Sequence, residues 1–492
     1  MSVKLVAIGD SLTQGFISGS ISKTKWSYPA MIARSLGIQN FKTPDFSGEG
    51  GLPFNIEALL HRLSDRYGRR ISWLEAVPAL LTVRSHMDRV EDYWERDDGS
   101  RKSQTGPLHH NLAVWGFQLG DSFRISDAVS QANIPPAEDQ LLQQIPEAAQ
   151  YRTARRTLNP SYDPHYRNLS QIGVAQHLAR EHGGIENLIF WLGSNHCLGT
   201  VVRLNIKWST EADLVQLPPE RNANLWRPEH FKIILQQTLD QVETIGAENV
   251  FIANVPRVTI PPISRGVTPG AAPGQGQDKD GYFEYYTHFW IWDDDFNPER
   301  HPHLTREDIR VIDAVVDEYN RMIQEEATRR GWHVVDMCKI LSQMAFRRQR
   351  GHIQYDYPPE LIDALRSNPA TSDRITSTGK VLFDTRYIRI DRDKATPQDR
   401  YKGGLFSLDG IHPTTIGYGL AAHEFLKVMK SVHGTSQQWQ SLDWKAIVAN
   451  DALAINPPEN LANLQDTLGF LYSQTPLGQL VAMIAGFGEQ GT

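Results

Sequence analysis

Apolar residues along this chain follow two periods. Short apolar runs at 3–8, 111–114, 187–192, 249–254 and 333–336 have the length and bulk of buried strands. Between them the spacing changes to 3.6 residues. Pro228 opens a stretch that places Phe231, Ile234, Leu235, Val242 and Ile245 on one stripe and stops at Gly246. Another follows Thr305, whose hydroxyl can cap it, carries Ile309, Ile312, Val316, Tyr319 and Ile323, and ends at Gly331. A third follows Pro413, with Tyr418, Ala421, Ala422, Phe425, Leu426 and Met429 facing one way. These spacings, with proline and glycine as punctuation, predict amphipathic helices. Strands alternating with such helices predict an α/β fold whose parallel sheet is covered on both faces.

The connections are long. Residues 53–110, 121–168, 200–227, 262–303 and 339–405 all exceed a minimal βα unit. The expected organisation is one domain over 1–433, with insertions at about 53–110, 121–168, 262–303 and 339–405. A helical extension over 434–492 follows, with helical patterns at 444–453 and 460–472. Residues 266–281 are rich in Gly, Pro and Gln and read as a mobile loop. The aromatic stretch 282–292 after it reads as a lid, a ligand-binding wall or the core of an inserted subdomain.

Composition narrows the function classes. At 492 residues, 40% hydrophobic and 22% charged, the chain has the make-up of an ordinary soluble globular protein. Its net charge of −7 and the lack of a long basic block argue against nucleic acid as partner. The two cysteines, Cys197 and Cys338, are too few for a disulfide framework and are expected to stay reduced. No apolar run approaches the roughly 20 residues of a membrane span. The first residues lack the pattern of a secretory leader, so the expected location is cytoplasmic, or secreted if a leader precedes residue 1.

The candidate chemistry sits at strand ends. The first run leads into Gly9-Asp10-Ser11-Leu12-Thr13-Gln14-Gly15, which places Ser11 at the carboxyl end of the first strand, where open α/β sheets bind ligands. Ser11 reads as a nucleophile or as a helix cap. A nucleophilic serine needs a base, usually a histidine oriented by a carboxylate. Asp409-Gly410-Ile411-His412-Pro413 offers both, with Gly410 allowing a tight turn between them; the alternative is that Asp409 caps the helix after Pro413. Acyl transfer also needs donors for the oxyanion. The run 111–114 leads to Gly116, whose backbone N–H is open to close approach, and 187–192 leads to Asn195, whose amide can donate. Read alone, these are a loop glycine and a turn asparagine. Together, Ser11, Gly116 and Asn195 all lie just past predicted strand ends, on one sheet edge.

The ordered blocks resemble those of the SGNH hydrolases, also called GDSL esterases and lipases. Gly9-Asp10-Ser11-Leu12 is similar to the first block, 111–116 to the second, Gly193-Ser194-Asn195 to the third and Asp409 to His412 to the fifth. The segment 255–261 is similar to the stretch after strand four in many members. The resemblance implies a flavodoxin-like three-layer α/β/α sandwich with a parallel five-stranded sheet. It also implies Ser11 as nucleophile, His412 as general base and Asp409 as its orienter. The implied oxyanion donors are the Ser11 and Gly116 backbone amides and the Asn195 side chain. Such chemistry proceeds through a covalent acyl-enzyme and requires no metal or organic cofactor. The implied substrate is a small ester: a lipid, a short acyl ester or an acetylated sugar. Competing readings are a carbohydrate O-acetylesterase and a catalytically silent binding protein on the same fold.

The chain departs from the family at His196, which stands where the third block usually has Asp, and is read as structural. Gly48-Glu49-Gly50-Gly51 is a rival for the second block. His109-His110 reads as a satisfied loop pair. The Asp293-Asp294-Asp295 and His301-Pro302-His303 groups match no zinc or calcium spacing and read as solvated loop. Cys197 reads as buried packing.

Overall fold

Four short strands form the centre of the molecule in a computed structural model that describes residues 2–461, apart from 70, 73, 104–105, 107, 140–143, 219, 435–438 and 460. They are β1 (Val6–Gly9), β2 (Asn187–Trp191), β3 (Asn249–Ala253) and β4 (His333–Val335), hydrogen-bonded in that order and all parallel. Val6 stands opposite Leu188, Leu188 opposite Val250, and Phe251 opposite His333.

Side chains alternate across a strand, so this sheet feeds two cores. Val6, Ile8, Leu188, Phe190, Val250 and Ile252 enter one; Ala7, Ile189, Trp191, Phe251, Ala253 and Val335 enter the other. Burial of both faces is why the strands read as apolar runs rather than as alternating ones.

Seven helices matter here: α1 (Ser11–Gln14), α2 (Tyr28–Ser35), α3 (Gln171–His182), α4 (Pro228–Glu243), α5 (Arg306–Arg330), α6 (Met337–Met344) and α7 (Thr415–His433). Apolar residues of α3, α4 and α5 join the first core, and those of α2, α6 and α7 the second, apart from Cys338 of α6, which joins the first. Thr305 caps α5 as its sequence predicts: its hydroxyl accepts the Asp308 N–H at 3.2 Å, and Asp308 accepts the Thr305 N–H at 2.8 Å.

The sheet has four strands where five were expected. Residues 110–114 do run beside the free edge of β1, exchanging backbone bonds between Ala7 and both His110 and Leu112, and between Gly9 and Val114. Only Asn111 forms a bridge, to Ala7. Gln171 Nε2 donates to Gly9 O and to Leu112 O at 2.8 Å each, and the chain turns directly afterwards, with Phe117 N–H returning to Val114 O. The first strand also starts at Val6 rather than residue 3, with Val3 paired singly to Ile185.

The long connections carry their own structure. The stretch 53–110 holds helices Ile56–Tyr67 and Ala76–Glu95. The stretch 262–303 supplies Ser264–Val267 and Tyr285–His288 to a three-stranded antiparallel sheet completed by Leu304–Thr305 just after it, so the aromatic stretch gives the middle strand. Within 339–405, Arg389–Ile390 pairs antiparallel with Tyr401–Lys402. Past residue 434, the pattern at 444–453 is two helices, Trp444–Ala449 and Ala452–Ile455, because Asp451 caps the second one. The other Asp451 oxygen accepts the Ile416 N–H at 2.8 Å and ties this extension to the start of α7. The pattern at 460–472 lies outside the described residues, Leu461 apart. Among the described residues no helix is long and apolar enough to cross a membrane.

Candidate active site

β1 ends at Gly9, and the chain folds back at once into the single turn of α1. A Cβ on Gly9 would stand 2.1 Å from Thr13 Oγ1 and 2.8 Å from Trp191 O, so this crossing requires glycine. Asp10 is the cap of α1: its Oδ1 accepts the Leu12 N–H at 3.0 Å. Ser11 is therefore not the cap. It is the first residue of the turn, buried at 5% exposure, and its hydroxyl points to His412.

The second loop closes on the first. Gly410 takes φ +70, which turns the chain tightly enough for Asp409 Oδ1 to accept the N–H groups of Ile411 (2.9 Å) and His412 (2.8 Å). Asp409 Oδ2 faces His412 Nδ1 at 3.0 Å and accepts the Gly19 N–H at 2.9 Å. His412 Nε2 lies 2.8 Å from Ser11 Oγ. With Nδ1–H directed at the carboxylate, Nε2 keeps its lone pair and accepts the serine hydroxyl. The Phe16 ring packs on the imidazole with centroids 4.5 Å apart. The alternative role for Asp409, capping α7, falls to Thr414, whose side chain accepts the Gly417 N–H.

The two buried carboxylates here are pushed in opposite directions. Burial alone would raise Asp409, but the His412 charge, the His412 ring N–H and the two backbone donors hold it below its ordinary value. Asp10 has weaker compensation, and burial pushes it up to about 7 against the Leu12 N–H and the His412 charge. Between its ordinary value of 3.8 and about 7 the unfolded chain releases the Asp10 proton and the folded chain keeps it, so stability falls as pH rises through that window. Asp10→Asn is therefore expected to gain stability relative to wild type across this window and to hold a constant offset above it. Denaturant unfolding over a pH series tests this; an offset independent of pH refutes it.

Asn195 lies on the 3₁₀ turn Ser194–His196 just past β2 and lines the same cleft as Ser11. Its Nδ2 donates to Phe117 O at 2.9 Å and approaches Asp10 Oδ2 at 3.4 Å. The long contact to Asp10 is the weaker of the two, and so the one open to exchange with a substrate oxygen. Gly116 sits at φ +75 in the turn after residue 114 and is not among the cleft-lining residues. The rival glycines at 48–51 do not line it either; Gly51 packs against Ile21 O.

The cleft above Ser11 is mostly apolar. Leu198, Val258 and Pro261 form one side, and α6 contributes Met337, Ile340, Leu341 and Met344. Leu405, Phe406, Ile411 and residues of α7 close it. The sequence reading placed 339–405 in a connection and missed α6 as a wall, although Met337, Ile340, Leu341 and Met344 follow the i, i+3, i+4, i+7 spacing that reveals a helix stripe.

The other flagged residues are structural. His196 is fully buried, edge-on to Trp226 and Phe231, and burial and the Arg221 charge push it down to about 3. His109 meets Thr157 O, and His110 Nδ1 accepts the Lys42 N–H. Burial pushes the Cys197 thiol far up, which disfavours the thiolate a nucleophile needs. Asp293 pairs with Arg265 and accepts the Gly274 N–H; His303 and His301 Nδ1 both bond backbone groups.

No protein-family model matches the chain, and no curated protein matches it. Among solved structures, it is similar to a phospholipase A1 from Streptomyces albidoflavus NA297, with 12% identity over 88% of this chain and 99% of that one, at a TM-score of 0.29. It is also similar to an extracellular lipase from Streptomyces rimosus, with 15% identity over 70% of this chain and 83% of that one, at a TM-score of 0.26. Likenesses this distant carry no chemistry, so the case for the site stands on its own geometry.

Proposed function

We propose that this chain is a serine-dependent carboxylic ester hydrolase of the SGNH type, acting on esters with an apolar acyl group. One observation carries this conclusion: the continuous hydrogen-bond chain from Ser11 through His412 to Asp409, at the edge of a mostly apolar cleft. Ser11 Oγ attacks the ester carbonyl carbon while its proton passes to His412 Nε2, and Asp409 stabilises the imidazolium. The carbonyl oxygen, now an oxyanion, takes donors from the Ser11 amide and the Asn195 side chain, which line the cleft. Collapse breaks the ester C–O bond, and Nε2 returns the proton to the leaving alcohol. A water then gives its proton to Nε2, attacks the acyl carbon and releases the acid, and Ser11 recovers its proton.

Asn195→Ala is expected to lower kcat by roughly 10²–10³-fold with a smaller effect on KM, the pattern of a donor that acts on developing charge. Steady-state kinetics on an activated ester reads this, and a change confined to KM would assign Asn195 to ground-state binding.

Substrate class follows from the cleft wall. Each acyl methylene buried against α6 contributes about 0.8 kcal/mol, or about fourfold in kcat/KM. A series of nitrophenyl esters from acetyl upward should therefore rise stepwise until the cleft is filled, and Met344→Trp should shorten the optimum. A maximum at acetate, with acetylated saccharides hydrolysed faster still, would favour an O-acetylesterase instead.

A further inference from the structure

A second cavity of about 370 Å³ lies beside the Ser11 cleft. The segment 256–262 separates them: Pro256, Val258 and Pro261 line the cleft, while Thr259, Ile260 and Pro262 line the second cavity. Met344 and Ala345 divide in the same way. The two cavities share no lining residue and differ in character.

The second cavity is cationic. Arg265, Arg347, Arg348, Arg386, Arg389 and Lys402 line it, against two acids, Asp293 and Asp294. Some of this charge is matched within the protein. Arg386 is held by Asp384, Arg348 by Asp313, and one nitrogen of Arg265 by Asp293. The remainder is not. Arg347 donates to Gly266 O at 2.6 Å, and neither it nor Lys402 has an ion pair among the described residues. Arg389 reaches Asp391 only at 3.9 Å.

Three features go beyond a charge count. Arg265 is 8% exposed, and its Nε and Nη2 are buried without a hydrogen-bond partner among the described residues; so is the hydroxyl of its neighbour Ser264. Buried donors of this kind are normally satisfied, and unpaired buried charge is strongly unfavourable. Arg389 and Lys402 stand directly opposite each other on the two-stranded antiparallel pair, where like charges repel. Arg347 and Arg389 are also braced over the rings of Phe283 and Trp292 at 5.8 and 5.3 Å, which fixes where their guanidinium groups sit.

We propose that this cavity binds a phosphoryl-bearing small molecule, whose charged oxygens take the unmatched donors of Arg265, Arg347, Arg389 and Lys402. Planar guanidinium groups match phosphoryl oxygens two at a time, and lysine adds a point charge. The volume falls within the roughly 300–1,000 Å³ of small-molecule sites, which leaves room for a compact organic group beside the anion. Phe283, Tyr286 and Trp292 offer that group an aromatic wall. Burial and the Arg386 charge push Arg347 down to about 10, a repulsion that a bound anion relieves. The proposal does not rest on the ester chemistry, because binding is measured without turnover.

Calorimetric titration of the full chain with inorganic phosphate and with phenyl phosphate tests the site. Wild type is expected to bind both saturably, phenyl phosphate more tightly. Lys402→Gln and Arg347→Met are each expected to weaken binding by about tenfold or more, the loss typical of a charged hydrogen bond. Arg321→Gln, on the exposed face of α5, should bind as wild type does. Among the described residues Lys402 makes no side-chain hydrogen bond, so its variant keeps the test sharp if Arg347→Met misfolds. Absence of binding by wild type, or equal binding by all variants, overturns the site. Kinetics then identify the source of the phosphoryl group. If it belongs to the ester substrate, phosphate competes with a phosphate-bearing ester and Lys402→Gln raises the KM for that ester alone. If it is a separate ligand, neither KM moves.

Discussion

Ser11→Ala is expected to lower kcat on an activated ester by on the order of 10⁴–10⁶-fold while the fold survives. The size follows from the geometry. Among the described residues Ser11 Oγ has one hydrogen-bond partner, His412 Nε2 at 2.8 Å, and no other hydroxyl bonds that nitrogen. Removing it takes away the hydroxyl that the proposed acyl transfer needs beside His412 Nε2. It costs stability little, about 1–2 kcal/mol for a buried imidazole nitrogen left without its donor. Initial rates, a thermal melt and labelling by a fluorophosphonate check the three parts together. Wild type should label once and the variant not at all. Undiminished hydrolysis by a folded Ser11→Ala would falsify the proposed nucleophile. Wild type that neither hydrolyses esters nor labels would favour a silent binding protein on this fold.

Asp409→Asn is expected to have the second-largest effect, about 10⁴-fold in kcat, by a different route. A carboxylate at this position only accepts hydrogen bonds. It accepts four: from Gly19 N, Ile411 N, His412 N and His412 Nδ1. An asparagine keeps acceptors on one oxygen only and presents an N–H to the others. If that N–H faces His412 Nδ1, the imidazole carries its proton on Nε2, toward Ser11, and is no longer a base for it. Stability should also fall by a few kcal/mol at neutral pH, since buried donors lose their partner. The sign of the pH dependence is set by the depressed Asp409 value. The stabilisation is complete above the ordinary 3.8 and is lost as pH falls through the lower folded value. The stability gap between wild type and variant should therefore narrow on acidification below about 4. A gap that widens there, or a variant with wild-type kcat, would remove Asp409 from the role of orienter.

Much of this architecture was legible because the relevant forces act locally. The runs at 187–192 and 249–254 are strands because both sheet faces are covered, and continuous apolar sequence tolerates no other exposure. α5 was readable at both ends, from the Thr305 cap and from Gly331 at φ +69. The segment 111–114 was the misjudged strand. Its composition suits a strand, but the Gln171 side chain, 59 positions from Leu112, takes the Leu112 and Gly9 carbonyls at the ladder itself. A competition between a distant side chain and the backbone for one carbonyl leaves almost no trace in hydrophobic period.

The two halves of the candidate site divide along the same line. Within each loop, the conformation is written in a few adjacent residues: Gly9 where Thr13 crosses, Asp10 as the cap, and Gly410 at φ +70 so that Asp409 can reach the next backbone amides. The Gly410 turn was found from the sequence, whereas the cap of α1 is Asp10 rather than the Ser11 that the sequence suggested. Bringing Ser11 to His412 joins positions 401 residues apart, and only the packing of α1 and the loop before α7 onto one sheet edge decides it. The same holds for the cleft wall on α6 and for the arginine cavity, whose cations come from four separate stretches of the insertions. Charges that stand far apart in sequence have no readable relation until the chain folds, because Coulomb and hydrogen-bond energies depend on distance in space.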